Sequence, residues 1–341
     1  MNCRVDRWSA VALRGSLVTL ATVGALLLSS CGGSGQSSQS KRFKPTRMIV
    51  FGDESSLLLP PSTPNGIDAR KYTNNGFDVP DTNSKLDCSG NPLWVQKLAD
   101  EYKLVFAECN STGATPTAQM RATAGGKVAN VVAAVDAFLA STPGNKPVPT
   151  DLITMMAGTN DVLELYDRVT NSANPAPLLQ AAAVAEIQRR AELLAAQANR
   201  LTNLDNTLGR VMYSTIPEVN LTPFGRSQSS AGQSLLKLLS TSFNDRFRGK
   251  ITINGRSLGF LDTANQFFNV VDSVDRGGQP SGIINDRNAV CTVPVLSCTP
   301  LTLVSGATVS NYLWADDIHF SYAAHNFIGN DAVNLATSLP W

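Results

Sequence analysis

The chain has 341 residues, of which 43% are hydrophobic, and its formal net charge at pH 7 is +1. That hydrophobic content is enough to build a buried core. The nearly neutral charge, without a basic patch or a charge run, argues against nucleic acid as a partner.

The first thirty residues have the parts of an export signal. Three arginines precede the apolar stretch 17–28. This stretch is too short to span a bilayer, but it has the length of the apolar core of a signal peptide. It leads to Cys31 in a pattern that resembles the lipobox of bacterial lipoproteins, in which the cysteine is acylated after cleavage in front of it.

We therefore predict a signal peptide at 1–30, a lipidated Cys31 with a flexible tether at 31–45, and one folded domain at 46–341. Gly and Ser dominate the tether, which is typical of a flexible linker. The resemblance implies a cell-envelope location, and Gly32 favours the outer membrane. Ordinary signal cleavage beside an incidental cysteine is the alternative.

Four further cysteines fit an exported chain: Cys88, Cys109, Cys291 and Cys298. Even cysteine counts in exported chains usually indicate disulfides. Three pairings are possible, and we expect the local one, which joins Cys88 to Cys109 and Cys291 to Cys298. A zinc site is the alternative, disfavoured because the chain has no CxxC motif and only two histidines.

Apolar runs and segments of helical spacing alternate along the domain. The runs predict strands at 47–51, 103–108, 151–157, 210–216 and 257–261. Helical spacing predicts helices at 92–102, 127–139, 177–204, 235–247 and 321–339. This alternation indicates an α/β fold, a three-layer α/β/α sandwich with a central parallel sheet of the flavodoxin-like kind. Residues 277–312 are expected to form a long surface excursion that a disulfide staples.

Ligands of such sheets bind at the carboxyl ends of the strands. Three polar blocks are predicted to lie there: residues 52–54, residues 158–161, and residues 316–319 before the last helix. These blocks read Gly-Asp-Glu, Gly-Thr-Asn-Asp and Asp-Asp-Ile-His. In this order they resemble the GDSL, or SGNH, hydrolases, and the resemblance covers most of residues 46–341.

The resemblance implies a role for each block. Asp316 would orient His319, and His319 would act as the general base that activates a serine. Asn160, in the block that begins at Gly158, would donate a hydrogen bond to the oxyanion together with a glycine N–H. The first candidates for that glycine are Gly125 and Gly126, and Gly113 is a less favoured one. His325 is expected to be a packing or surface residue.

Glu54 stands where this family has its nucleophilic serine. A carboxylate is a poor acyl nucleophile because its product is a reactive anhydride. We hypothesise that Glu54 occupies the oxyanion hole as a mimic of a bound carboxylate product, since a helix N-terminus favours negative charge. Alternatively, Ser55 or Ser56 is the nucleophile in a shifted turn, or Glu54 or His319 activates water directly.

The resemblance thus implies an exported ester hydrolase of the lipase, esterase or phospholipase kind. It would act on an ester or lipid substrate as a monomer without a cofactor or metal, and Cys31 would attach it to the membrane. A catalytically disabled relative that binds an acyl or glycan ligand in the same cleft is the alternative. A structural surface lipoprotein is a third possibility.

Overall fold

The computed structural model describes residues 42–77, 85–141, 147–172, 176–203, 209–252 and 257–338. The predicted signal peptide, Cys31 and residues 32–41 of the predicted tether lie outside the described residues. Within the described ranges, no helix has both the length and the apolar character needed to cross a membrane.

The strands in these ranges are β1 (Arg47–Gly52), β2 (Gly76–Phe77), β3 (Leu86–Asp87), β4 (Ala118–Met120), β5 (Asp151–Met156), β6 (Arg210–Ser214), β7 (Leu258–Leu261), β8 (Asn285–Ala289) and β9 (Tyr312–Trp314). The α-helices are α1 (Trp94–Glu101), α2 (Val128–Leu139), α3 (Thr159–Thr170), α4 (Ala176–Asn203), α5 (Pro223–Ser227), α6 (Ser230–Lys250), α7 (Thr263–Asp275) and α8 (Tyr322–Thr337).

Five of the strands form one parallel sheet in the order β4-β1-β5-β6-β7. This is the order of flavodoxin-like sheets, and the direction of winding reverses beside β1. Gly52 at the end of β1 pairs with Met156 at the end of β5. The loops after these two strands therefore leave the sheet side by side, where ligands of this fold bind.

Helices cover both faces of the sheet, and β1 shows why. Successive strand side chains point to opposite faces. Met48 and Val50 join a core with α1, α7 and α8, whereas Ile49 and Phe51 join a second core with α2, α3, α4 and α6. Full burial of such a side chain contributes about 1.5–3 kcal/mol. The predicted α/β/α sandwich is confirmed.

The prediction of a strand at 103–108 was wrong. Lys103 has a left-handed backbone conformation, and the rest of the segment makes one bridge, from Phe106 to Ala118, before a 3₁₀ turn at Ala107–Cys109. The edge of the sheet is β4 instead, which pairs with β1. A short apolar run does not distinguish a strand from a buried loop, so apolarity alone misplaced the edge.

The prediction of a surface excursion at 277–312 was also wrong in part. The segment contains β8, which pairs with β9, and it buries Ile283, Val290, Val295 and Cys298. The carbonyl oxygen of Cys298 accepts a hydrogen bond from the Asn75 backbone N–H at 2.9 Å. The segment therefore packs against the loop around Asn75.

The local pairing of the cysteines is confirmed, with disulfides between Cys88 and Cys109 and between Cys291 and Cys298. Their sequence separations are 21 and 7 residues. A disulfide restricts the unfolded chain, and the restriction increases with the length of the loop it closes.

We therefore expect the double variant Cys88→Ser/Cys109→Ser to lose about 3 kcal/mol in its free energy of unfolding. The matched variant Cys291→Ser/Cys298→Ser removes the disulfide that closes the shorter loop and should lose less. Chemical denaturation of both variants beside the wild type measures the difference. A larger loss from the second pair would contradict the chain-entropy explanation.

Candidate active site

Glu54 begins a short 3₁₀ turn directly after β1. The turn spans Glu54–Ser56, and the side chain of Asp53 caps it by accepting a hydrogen bond from the Ser55 N–H at 3.0 Å. The turn carries Glu54 back over the end of the sheet, where only 5% of the residue is exposed. A carboxylate in such a place needs partners for its charge.

Two other segments, the loop at Gly125 and the first turn of α3, supply those partners. The backbone N–H of Gly125 donates to Glu54 Oε2 at 2.8 Å. Asn160 Nδ2 donates to Oε1 at 2.9 Å and to Oε2 at 3.0 Å. The backbone N–H of Glu54 itself also stabilises the charged carboxylate. These donors are of the types that form oxyanion holes, and the Glu54 carboxylate occupies the space between them.

Glycines shape this donor cluster. Gly125 has φ +64°, a left-handed conformation that directs its N–H toward Glu54. Gly158 has φ +137°, and a Cβ there would lie 2.5 Å from the Phe243 ring. Gly126 is an acceptor instead, since its carbonyl oxygen takes the remaining Asn160 contact at 3.2 Å. Gly113 lies in a separate turn, where its N–H donates to Asn110.

Asn160 lies in the first turn of α3, and its neighbour holds that helix in place. The Asp161 carboxylate accepts from the Val128 N–H at 2.9 Å, at the start of α2, and from Arg190 Nη1 at 3.0 Å. Asp161 therefore caps α2 and not its own helix. This side chain joins α2, α3 and α4 beneath the donor cluster.

Asp316 holds both the backbone and the ring of His319. Its Oδ1 accepts from the N–H groups of Ile318 and His319 at 2.9 and 2.8 Å. Its Oδ2 lies 2.7 Å from His319 Nδ1, which makes this nitrogen the donor and leaves Nε2 facing the cleft. The Tyr72 ring lies 5.1 Å from the imidazole, centroid to centroid. Sequence reasoning assigned Tyr72 no role, because no spacing relates it to His319.

His319 Nε2 lies 3.8 Å from Glu54 Oε1, an ion-pair distance longer than a hydrogen bond. Burial alone would lower the pKa of His319, but the carboxylates of Asp316 and Glu54 outweigh it and raise the pKa to about 9. Burial likewise opposes ionisation of Glu54, yet His319 and Asn160 lower its pKa. The resting site at neutral pH is therefore an imidazolium between two carboxylates.

The two serines that follow Glu54 are not placed as nucleophiles. Ser56 is fully buried, and its Oγ accepts from the Trp94 indole N–H at 3.2 Å. Ser55 follows the Asp53 cap, and neither serine hydroxyl makes a hydrogen bond to His319 within the described part of the chain. The structure brings together Glu54, Gly125, Asn160, Asp316 and His319.

The cleft beside Glu54 and His319 is small. Its other lining residues are mostly apolar: Pro217, Val219, Trp314, Ile318 and Phe320, with Ser55, Thr159 and Thr222. Its volume of about 10 Å³ is close to the space that one water needs. A larger cavity of about 550 Å³ lies between α1 and α8, away from this chemistry.

His325 is fully buried in α8, in contact with the Phe320 ring. Neither of its ring nitrogens has a hydrogen-bond partner among the described residues. Burial, with the positive charges of Lys71 and His319, lowers the pKa of His325 to about 3. It is a neutral packing residue and takes no part in the His319 cluster.

No protein-family model matches the sequence, and no curated protein matches it. Among solved structures, the lipase Lip_vut3 from a goat rumen metagenome is 11% identical, with a TM-score of 0.41 and coverage of 84% of this chain and 96% of that one. The extracellular lipase of Streptomyces rimosus is 15% identical, with a TM-score of 0.40 and coverage of 86% and 100%.

Phospholipase A1 from Streptomyces albidoflavus NA297 is 13% identical, with a TM-score of 0.40 and coverage of 86% and 100%. These likenesses are too distant to carry an argument about activity. The chemistry of this chain has to be inferred from its own residues.

We expect Glu54→Gln to lower the pKa of His319 below its value of about 9 in the wild type, because the variant keeps the side-chain shape and removes one of the two neighbouring charges. Titration of the histidine ring signals by NMR measures this shift. His325, with its pKa of about 3, is the internal control. An unchanged His319 pKa would show that Glu54 does not act on the imidazole.

Acid should destabilise the protein through His325. Its pKa in the folded state is about 3, below the ordinary value of 6.5. Its contribution to stability is therefore complete above pH 6.5 and is lost as the pH falls toward 3. His325→Leu should show a smaller loss of stability between pH 6.5 and 4 than the wild type in urea titrations. Identical pH profiles would count against this assignment.

Proposed function

We propose that this chain is an exported, lipid-anchored hydrolase whose centre at Glu54, Asn160 and His319 cleaves ester bonds. The observation that carries the proposal is the position of the Glu54 carboxylate among hydrogen-bond donors. A carboxylate has the charge and planar shape of the product of ester hydrolysis, and here it lies between oxyanion-type donors on one side and the imidazole of His319 on the other.

Each neighbour has a role in this proposal. Gly125 N–H and Asn160 Nδ2 stabilise the oxyanion of the tetrahedral intermediate. Asp316 fixes the tautomer of His319 and stabilises its protonated form. The attacking oxygen comes from water, since neither serine hydroxyl makes a hydrogen bond to the imidazole in the described part of the chain. His319 activates this water only in its neutral form, which is the minor form below its pKa of about 9.

The same geometry limits the reaction of the wild type with external acyl esters. The Glu54 carboxylate fills the space that a substrate carbonyl oxygen would take, and its negative charge repels a developing oxyanion. The Glu54 carboxylate in the donor cluster favours a second candidate, a disabled relative that binds an acyl or glycan ligand. The two candidates differ in the wild type: the hydrolase cleaves p-nitrophenyl acetate faster than His319→Ala does, whereas the disabled relative does not.

The proposed location and anchoring follow from the sequence. The apolar stretch before Cys31 and the two disulfides support export, and acylation of Cys31 would hold a monomer at the envelope membrane. We propose the outer membrane because Gly32 follows the cysteine. Metabolic labelling with a fatty acid, retained by the wild type and lost in Cys31→Ala, tests the anchor.

Glu54→Ser should raise the hydrolysis of p-nitrophenyl acetate by ~10-fold or more over the wild type, because it vacates the donor cluster and places a hydroxyl near His319. Adding His319→Ala to this variant should remove the gain. Ser55→Ala in the wild type is the matched control at the neighbouring position, and its rate should equal that of the wild type.

No gain from a folded Glu54→Ser protein would overturn the ester-hydrolysing centre. A melting temperature close to that of the wild type, measured by circular dichroism, establishes that the variant is folded. In that outcome, the ligand-binding candidate takes its place, with binding of short fatty acids to the wild type as its own test.

A further inference from the structure

The Glu54 carboxylate is itself positioned as a reactant. Oε2 carries the Gly125 hydrogen bond at 2.8 Å and one Asn160 contact at 3.0 Å, so the donor cluster holds this oxygen most fully. Oε1 is the oxygen nearest to His319, at 3.8 Å from Nε2. One carboxylate oxygen therefore lies among oxyanion donors while the other faces the acid–base group.

We propose that Glu54 is a covalent nucleophile for small, apolar epoxides, which the protein hydrolyses to diols through an alkyl ester on Glu54. The inference rests on the proposed function, because the ester formed on Glu54 is then the ester that the centre hydrolyses. A carboxylate that attacks a saturated carbon forms a stable ester, so the objection to an anhydride does not apply.

In the first step, Oε1 attacks one epoxide carbon, and the bond from that carbon to the ring oxygen breaks. The ring oxygen takes the proton from His319 Nε2–H, so the products are a hydroxyalkyl ester and a neutral imidazole. The attacked carbon and the ring oxygen are one bond apart. The carbon therefore fits within ~3–3.5 Å of Oε1 while the oxygen lies within ~2.6–3.2 Å of Nε2.

The charge state of the resting site suits this step. The pKa of His319 is about 9, so the imidazole is protonated at neutral pH and serves as an acid. Epoxide opening needs an acid, and the His319 imidazolium lies beside the carboxylate, with Nε2 at 3.8 Å from Oε1. The Trp314 indole N–H already donates to the Asp286 carbonyl oxygen at 2.9 Å. It is therefore not available to stabilise the halide ion that a haloalkane substrate would release.

In the second step, neutral His319 removes a proton from water, and the resulting hydroxide attacks the Glu54 carboxyl carbon. The ester carbonyl oxygen is Oε2, which already lies at the N–H donors of Gly125 and Asn160, so they stabilise the tetrahedral oxyanion. The intermediate expels the diol oxygen, which takes the proton back from His319. Proton transfer from Glu54 to His319 restores the resting pair, and the sum is epoxide plus water giving diol.

Two features of the site favour this sequence. Esterification removes the negative charge of Glu54, one of the causes that raise the pKa of His319, so the pKa falls and the imidazole stays neutral when water must be activated. The cleft has apolar walls at Pro217, Val219 and Ile318, which suit small epoxides with apolar substituents. Its volume is close to that of one water, so these walls have to move apart to admit even a small epoxide.

The test incubates the purified full chain with butylene oxide in water labelled with a heavy oxygen isotope. The wild type should form the diol and carry the heavy isotope in the Glu54 carboxylate, which peptide mass spectrometry detects. Direct attack of water on the epoxide would place the isotope in the diol in every turnover and leave Glu54 unlabelled.

Variants test the two residues, and trapping tests the ester. His319→Gln should form neither adduct nor diol at the wild-type rate, because His319 is the acid of the first step and the base of the second. Glu54→Gln should lower diol formation by ~100-fold or more, whereas Glu101→Gln, the same change at the exposed end of α1, should retain the wild-type rate. Acid quenching of the wild type during turnover should trap a Glu54 peptide heavier by one epoxide, a result that does not depend on the folding of a Glu54 variant.

An unlabelled Glu54 and no trapped adduct in the wild type would overturn the inference, as would equal diol formation by the wild type and Glu54→Gln. If Glu54→Ser gains esterase activity but Glu54 forms no adduct, the proposed ester-hydrolysing centre stands and the epoxide reaction falls. A labelled Glu54 without an esterase gain in Glu54→Ser would support the covalent reaction and overturn the action on external esters.

Discussion

The carboxylate of Glu54 is the charge around which this end of the molecule is arranged. A nearly buried carboxylate is stable only when hydrogen bonds and positive charge replace the water it has lost. Gly125 and His319 supply these partners from two loops, and Asn160 supplies them from the first turn of α3. The partners depend on the carboxylate in turn. Without it the Gly125 N–H would face an apolar cleft without an acceptor, and Asn160 Nδ2 would keep only its contact with the Gly126 carbonyl oxygen.

The sheet topology explains how residues so far apart in the sequence meet. β1 and β5 are neighbours, and both end at the same edge, so the turn that carries Glu54 and the helix that begins at Asn160 leave the sheet together. α8 packs against α1 on the other face, and the loop before α8 brings His319 to this edge. A doubly wound sheet thus provides the position, and the loop residues provide the chemistry.

The site differs from a serine hydrolase in its resting charge. A serine beside His319 would leave the imidazole with one carboxylate neighbour, Asp316, and a base would result. Glu54 adds a second carboxylate and makes the imidazole an acid at neutral pH. The ester-hydrolysing centre and the covalent role of Glu54 use the same donors, and they differ in whether the ester comes from outside or forms on the protein.

The loop at residues 71–75 and the Cys291–Cys298 disulfide support the side of the cleft where His319 lies. Asn75 Nδ2 donates to the carbonyl oxygens of Lys71 and Thr73 at 3.2 and 3.1 Å, and the Asn75 N–H donates to Cys298. The Cys291–Cys298 disulfide therefore braces the segment that carries Tyr72, whose ring lies against His319. Packing of the imidazole between Tyr72 and Asp316 restricts its orientation.

The sequence by itself determined the features that depend on short spacings. Apolar runs specified β1, β5 and β6, helical spacing specified α2, α4 and α6, and the α/β class followed from their alternation. The resemblance of the third block paired Asp316 with His319, and the short turn formed by the two residues between them lets their side chains meet. Local cysteine spacing likewise predicted the disulfides.

Only the tertiary structure decided the features that depend on long-range contacts. It oriented the Glu54 carboxylate toward the donor cluster, selected Gly125 over Gly126 as the donor, and directed Ser56 to Trp94. It also placed β4, and not residues 103–108, at the edge of the sheet. Each outcome is set by partners tens of residues away in the chain. Local periodicity carries no information about such contacts, because they exist only once the sheet has brought its loops to one edge.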